Sequence, residues 1–182
     1  MLKKLILSLG ICLGLFFFIG FLLPKDFIIH RSILINVPRA QVHAAVSNLE
    51  EWSHFMPWSK ANNDIQFDFG DVRRGKGATK RWTSDAGKGS FTITDASVKK
   101  GVMCEIVFGE KEKPAVANFF YDDTPQGTML QWSMRGRVEA PLGGYMTLLI
   151  DSMLGPVFEQ GLVQLKDHLE NEKVESFTPQ GS

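Results

Sequence analysis

Phe27-Ile-Ile-His-Arg-Ser-Ile-Leu-Ile-Asn-Val37 runs directly into Pro38-Arg-Ala-Gln-Val-His-Ala-Ala-Val-Ser-Asn-Leu49, and the hydrophobic period changes where the two meet. In the first stretch Arg31, Ile33, Ile35 and Val37 alternate with Ser32, Leu34 and Asn36, the period of two that marks a strand. Pro38 suits a helix start, because its missing N–H is one that the first turn leaves unpaired anyway. Val42, Ala45, Val46 and Leu49 then recur at helical spacing, which predicts a short amphipathic helix over 38–49.

Toward the C-terminus, Glu50–Phe55 reads as a second short helix that ends before Pro57, since the residue preceding a proline is driven out of the α region. From Asp64 the period returns to two. Ile65, Phe67 and Phe69 alternate with polar residues, and strands are predicted at Gly77–Ser84, Gly89–Ala96, Val102–Phe108, Ala115–Tyr121 and Met129–Arg137. Turn-prone links separate them, such as Asp85-Ala-Gly87, Lys99-Lys-Gly101 and Asp122-Asp-Thr-Pro-Gln-Gly127, and links this short favour antiparallel neighbours. Met146, Ile150, Met153, Val157, Leu162, Leu165 and Leu169 then share one side of a helix from about Gly144 to Glu170, with a kink or break expected at Gly155-Pro156. Residues 171–182 read as a polar tail. The order is an α+β one: strand, two short helices, six antiparallel strands, long helix. A seven-stranded sheet must cover one face, and only the last helix is long enough to do so.

Toward the N-terminus, Leu5–Leu23 carries no charge and stops at Pro24-Lys25-Asp26. A helix of that length spans about 28 Å, close to the ~30 Å hydrocarbon core of a bilayer. A cleaved signal peptide needs small residues where Phe16-Phe17-Phe18 and Phe21-Leu22-Leu23 stand, so an uncleaved single-pass transmembrane anchor is the expectation. Lys3 and Lys4 bias the N-terminus weakly toward the cytoplasm, which places the domain on the periplasmic or outer side of an inner membrane. The predicted organisation is 1–25 anchor, 26–170 globular domain and 171–182 tail.

The chain has 20 basic and 20 acidic residues, but residues 1–25 hold Lys3, Lys4 and Lys25 and no acid. The remainder is therefore mildly acidic, which argues against a nucleic-acid partner. The densest basic patch, Arg73-Arg74-Gly75-Lys76 with Lys80-Arg81, is broken by glycines. The glycines of Gly75-x-Gly77 enter a strand, whereas a phosphate-cradling loop needs a following helix. Cys12 and Cys104 give no basis for a disulfide, and the four histidines lack paired metal-ligand spacing, so neither metal nor other cofactor is expected.

Arg31-Ser-Ile-Leu-Ile-Asn-Val-Pro38 entering a helix, Trp52 with Pro57-Trp58, and Gly75-Lys-Gly77-Ala78 with Trp82 form the first part of a longer pattern. Gly87-Lys-Gly-Ser-Phe-Thr-Ile93, Gly127-Thr-Met-Leu-Gln-Trp132 and Gly155–Leu165 complete it. In their order the chain resembles the START-like, helix-grip superfamily, in its polyketide cyclase/dehydrase and lipid-transport (SRPBCC) branch. The resemblance implies a curved antiparallel sheet gripping the C-terminal helix around an elongated cavity. It implies no particular reaction. His43 departs from the pattern, standing where an aromatic residue is common, and would make that part of the cavity more polar.

Alternation selects the side chains that face inward, and with the helix they give the candidate ligand contacts: Trp82, Phe91, Ile106, Phe108, Trp132, Met134, Ile150, Met153 and Val157. Apolar walls with a few placed polar groups are what small-molecule pockets are made of, although the same residues equally suit a filled core. Trp52, Phe55 and Trp58, in Glu51-Trp-Ser-His-Phe-Met-Pro-Trp-Ser59, are added as either an aromatic lid or a plain cap. His54, two residues from Trp52, points off that face and reads as solvated. Possible polar contacts are His43 and Lys80, with Arg31 a third. No Ser/His/Asp order, inward carboxylate pair or Cys/His pair emerges, so no catalytic residue is assigned.

The expected function is a membrane-anchored domain binding a hydrophobic small molecule or lipid, without catalysis. A polyketide cyclase/dehydrase-like enzyme and a ligand-free regulatory module of a membrane complex stand as alternatives.

Overall fold

A computed structural model describes residues 2–56, 65–85, 87–109, 113–139 and 143–177. Helix α1 (Leu2–Leu22) precedes β1 (Asp26–Ile35), α2 (Arg39–Val46) and α3 (Trp52–Phe55). Strands β2 (Gln66–Phe69), β3 (Thr79–Ser84), β4 (Gly87–Ser97), β5 (Gly101–Phe108), β6 (Ala115–Thr124) and β7 (Gly127–Arg137) follow, and α4 (Gly143–Phe177) closes the chain.

The strands form one seven-stranded sheet in the order β1-β7-β6-β5-β4-β3-β2. Every neighbouring pair is antiparallel. Consecutive hairpins account for β2 through β7, while β1 joins the free edge of β7 because α2 and α3 carry the chain from one edge to the other. The register between β4 and β5 shifts at Ile93/Asp95, and an irregularity of this kind bends a sheet and increases its twist. The bent sheet lays its inner face against α4, as the helix-grip pattern requires. At the β6–β7 turn Gly127 takes φ +152°, and a side chain there would run into the backbone of Ile35.

The core lies between the inner face of the sheet, the α2–α3 pair and α4. Ile29, Ile35, Val42, Leu49, Phe55, Ile93, Phe119, Leu130, Phe158 and Leu165 are all buried there. A run of rings crosses it: Trp52 meets Phe119 at 5.9 Å, Phe119 stacks on Trp132 at 5.1 Å, and Trp132 stacks on Phe158 at 4.0 Å. Arg31 staples β1 to α4, donating to both oxygens of Asp151 at 3.0 and 3.2 Å and to Glu159 at 2.7 Å. Gly155, one turn from each acid, leaves room for the guanidinium to lie flat on the helix.

Three expectations about the helices are corrected. α4 runs on through Pro156 as one helix, so of the kink or break expected at Gly155-Pro156 the break does not occur. A proline removes one N–H donor, which flanking turns packed on a sheet and held by Arg31 can bridge. The same helix continues to Phe177, so the tail expected over 171–182 begins later. Among the described residues no helix is long and apolar enough to cross a membrane. The side chains of α1 are described continuously from Ile6 to Leu22, about 25 Å of helix against a ~30 Å hydrocarbon core. The described part of 5–23 therefore does not by itself supply the expected transmembrane span.

The end of α1 also packs on the domain. Tyr145 stacks on Phe16 at 4.6 Å and its hydroxyl donates to the Phe16 carbonyl at 2.7 Å, while Gly20 and Gly144 permit the close approach.

Candidate functional site

The inner face is not filled along its whole length. Beyond the Trp132–Phe158 stack, toward the β3–β5 side, Ile65, Phe67, Trp82, Ser84, Phe91, Ile106, Phe108, Met134, Leu154 and Phe158 enclose a cavity of about 230 Å³. Its wall is carbon almost throughout, Ser84 being the one hydroxyl-bearing side chain among the described lining residues. Each strand contributes at the register its alternation dictates: Trp82 faces Phe67 across β2–β3, and Phe91 faces Ile106 across β4–β5. Trp82 lies against Phe91 at 4.7 Å and Phe108 at 5.7 Å. The indole fits because its cross-strand partner is Gly89, where a Cβ would collide with the ring.

Phe108, Met134 and Leu154 also line a wider hollow of about 720 Å³, with Phe27, Ala115, Val138 and Ile150. Its rim is charged: Arg137 pairs with Asp26 at 3.0 Å and Glu139 at 2.9 Å, and Lys113 reaches Glu139 at 3.4 Å. Phe108 is 44% exposed, which places it where the two spaces open to solvent. The rim also adjoins the chain leaving α1, since Val138 N–H donates to the Lys25 carbonyl at 2.9 Å.

Of the ligand contacts expected from sequence, Trp82, Phe91, Ile106, Phe108 and Met134 share the apolar cavity, and Ile150 lines the wider hollow. Trp52, Phe55 and Trp132 belong to the solid core instead, and none lines either space. Trp52 is fixed by donating its indole N–H to the Val46 carbonyl at 3.0 Å, so it caps and does not hinge. Trp58 lies outside the described residues. Met153 is 58% exposed and Val157 does not line the cavity; Leu154 and Phe158 take those places. Over 153–158 the inward positions of α4 fall one residue later than expected, while its Leu162, Leu165 and Leu169 are buried as expected. Its first half is apolar nearly all round, with Leu148, Leu149, Met153, Leu154, Val157 and Phe158 offering two stripes at the same spacing. Met146 is likewise exposed.

The polar candidates separate. His43 is in neither wall: it sits beside Tyr121 of β6 with Nδ1 3.3 Å from the phenol oxygen. Burial and the nearby Arg74 lower its pKa, and burial raises that of Tyr121. Arg31 is committed to its two acids. Lys80 points inward from β3 and is 4% exposed, with its ammonium 4.1 Å above the Phe67 ring and 5.2 Å from that of Phe69. Burial lowers its pKa. Cys104 is buried, and burial pushes its thiol up to about 12, so it packs as a small apolar residue.

A second, polar groove of about 370 Å³ lies outside the core, lined by Gln41, Ala44, Glu51, Arg74, His168 and Glu172. Beside it His54 stacks on His168 at 4.7 Å, with Glu51 and Glu172 each 3.4 Å from His168. His54 thus joins α3 to α4 on the surface. Among the described residues no group of three or more His, Cys, Asp or Glu is placed to hold a metal ion.

Residues 26–170 match the family model described as polyketide cyclase / dehydrase and lipid transport. Among solved structures, a protein of unknown function from Staphylococcus aureus aligns over 82% of this chain and 97% of its own, with TM-score 0.65 and 10% identity. A protein from Rhizobium leguminosarum aligns over 81% and 96%, with TM-score 0.56 and 17% identity. One from Bacillus halodurans aligns over 79% and 97%, with TM-score 0.56 and 13% identity. At identities this low the superpositions show a shared fold and nothing more. No curated protein is similar enough in sequence to count as a relative.

Proposed function

We propose, from the premise that this chain belongs to the polyketide cyclase / dehydrase and lipid transport family, that it binds a hydrophobic small molecule or lipid without transforming it. The observation that carries this reading is the composition of the cavity wall. Nine of its ten described lining residues are apolar, five of them aromatic, and the tenth is Ser84. General acid–base chemistry needs a proton donor or acceptor held near the reacting atom, usually by another group, and the described lining residues include no Asp, Glu, His, Lys, Cys or Tyr. Burying an apolar ligand there gains roughly 25 cal/mol per Å² removed from water, which is sufficient for capture.

A membrane is where such a ligand would come from, and the apolar run 5–23 is proposed to hold the domain to one, on the outer side. Along α1, Ile6, Leu7, Leu9, Phe18 and Phe21 are exposed, a surface that water does not favour. Exposed Met146, Leu148 and Leu149 on the adjoining start of α4 would enter the same interface. Tethering raises the local concentration of a membrane-borne ligand at the cavity mouth.

The test is native mass spectrometry of the full-length chain released from membranes, followed by uptake of an environment-sensitive apolar dye. Binding is expected at one site per chain, competing with whatever molecule co-purifies. A protein that emerges empty and leaves the dye in water refutes the proposal.

A further inference from the structure

We propose that Lys80 is an anion subsite of the cavity, so that its ligand is an amphiphile whose single anionic group, a carboxylate or phosphate, pairs with the Lys80 ammonium. This rests on the reading above that the cavity takes an apolar ligand. Lys80 leaves β3 on the same face as Trp82 and Ser84, both cavity walls, and stands opposite Phe91 on β4 and Phe69 on β2. It is 4% exposed, yet among the described residues no carboxylate reaches it. The acid closest in register, Asp68, turns outward to Arg81 at 3.2 Å. What covers the ammonium is the face of Phe67, itself a wall of the cavity, at 4.1 Å.

That arrangement is unbalanced on its own. Withdrawing an ammonium from water costs several times what one or two aromatic faces return. Burial consequently weakens the hold of Lys80 on its proton. An anion arriving on an apolar chain would supply the missing partner in a low-dielectric setting, where a charge-assisted hydrogen bond counts for most. A neutral ligand would leave the imbalance in place. The cover is also the part of the sheet best able to yield. Phe67 belongs to β2, four residues long at the edge of the sheet and paired only to β3.

The test uses the full-length chain in a non-ionic detergent with a bound fluorescent fatty acid. Dodecanoate, dodecyl phosphate and dodecanol displace it from the wild type and from Lys80→Met, whose side chain is of similar length and uncharged. Dividing the wild-type preference for each anion over the alcohol by that of the variant cancels partition into micelles. The proposal expects a ratio of about tenfold or more for at least one anion, with dodecanol affinity unchanged. The anion that shows the ratio identifies the headgroup chemistry. Ratios within about twofold of unity for both anions overturn the anion subsite and leave an apolar cavity standing. Displacement by none of the three overturns the cavity reading and this one together. Lys80→Gln repeats the comparison should the methionine variant fail to fold by circular dichroism.

Discussion

Replacing Phe158 by alanine tests the helix phase on which the cavity depends. Phe158 is 2% exposed, stacks on Trp132 at 4.0 Å and closes one side of the cavity. Truncating a buried phenylalanine costs about 3–5 kcal/mol, the cost rising with the void left behind. Here one edge of the ring already borders empty space, so fewer contacts are lost, and about 3 kcal/mol is expected. At roughly 2–4 °C per kcal/mol for a chain of this size, the melting temperature falls by about 6–12 °C. Met153→Ala is the matched control, since an exposed side chain at that position should change stability by no more than about 0.5 kcal/mol. Thermal unfolding of both variants by circular dichroism is the assay. Equal losses, or a loss below about 1 kcal/mol for Phe158→Ala, would refute the placement of Leu154 and Phe158 on the inner face.

A Cβ at position 89 would meet both the Trp82 ring and the Val107 carbonyl, so Gly89→Val should push the indole toward the cavity, strain the β4–β5 pairing, lower the melting temperature and abolish apolar dye uptake; retained uptake with an unchanged melting temperature would show that the ring does not depend on this glycine. Because burial lowers the Lys80 pKa below its ordinary 10.5, the unfolded chain holds a proton that the folded chain sheds. Wild-type stability should therefore rise with pH through the interval below 10.5 and level off above it, and Lys80→Met should remove that rise in denaturation curves taken across the range. His43 gives the same sign in a lower window. Its folded pKa lies below 6.5, so stability is full above that value and declines as pH falls through the folded one, a slope that His43→Phe should abolish in melts between neutral and acid pH. Arg31→Met leaves Asp151 and Glu159 facing each other without their shared cation, and should loosen β1 from α4 most at low salt; protection of β1 amides from hydrogen exchange reports it, and unaltered protection would show the ion pairs to be incidental.

The sheet was legible because its signal is strict. A strand slipped by one residue turns every side chain to the wrong face, so Phe91, Ile106 and Met134 could be placed inward from alternation alone. The helix allows more latitude. Neighbouring 3–4 spacings through 146–158 are both apolar, and only the approach of Arg31 over Gly155 and the stacking of Phe158 on Trp132 select between them. The aromatic cluster Trp52–Phe55 shows a further limit. Its hydrophobicity was evident, but whether it lined a space or filled one depended on Phe119 and Phe91, far away in the chain. Phe67, Leu154 and Phe158 were missed as wall residues, although Phe67 lay in a recognised alternating stretch and its inward face could have been read there.

The sequence by itself determined the order of elements, the antiparallel sheet, the closing helix and the inward set on each strand, because periods of two and 3.6 are local properties of the backbone. Tertiary structure alone decided where packing stops. The Trp52–Phe119–Trp132–Phe158 stack fills the middle of the grip and leaves room beside Trp82 and, past Phe108, toward Phe27 and Ile150, while Lys80 is buried near Trp82 with no carboxylate in reach among the described residues. Whether a gap is filled depends on side-chain volumes meeting from distant parts of the chain, and no local pattern records that sum.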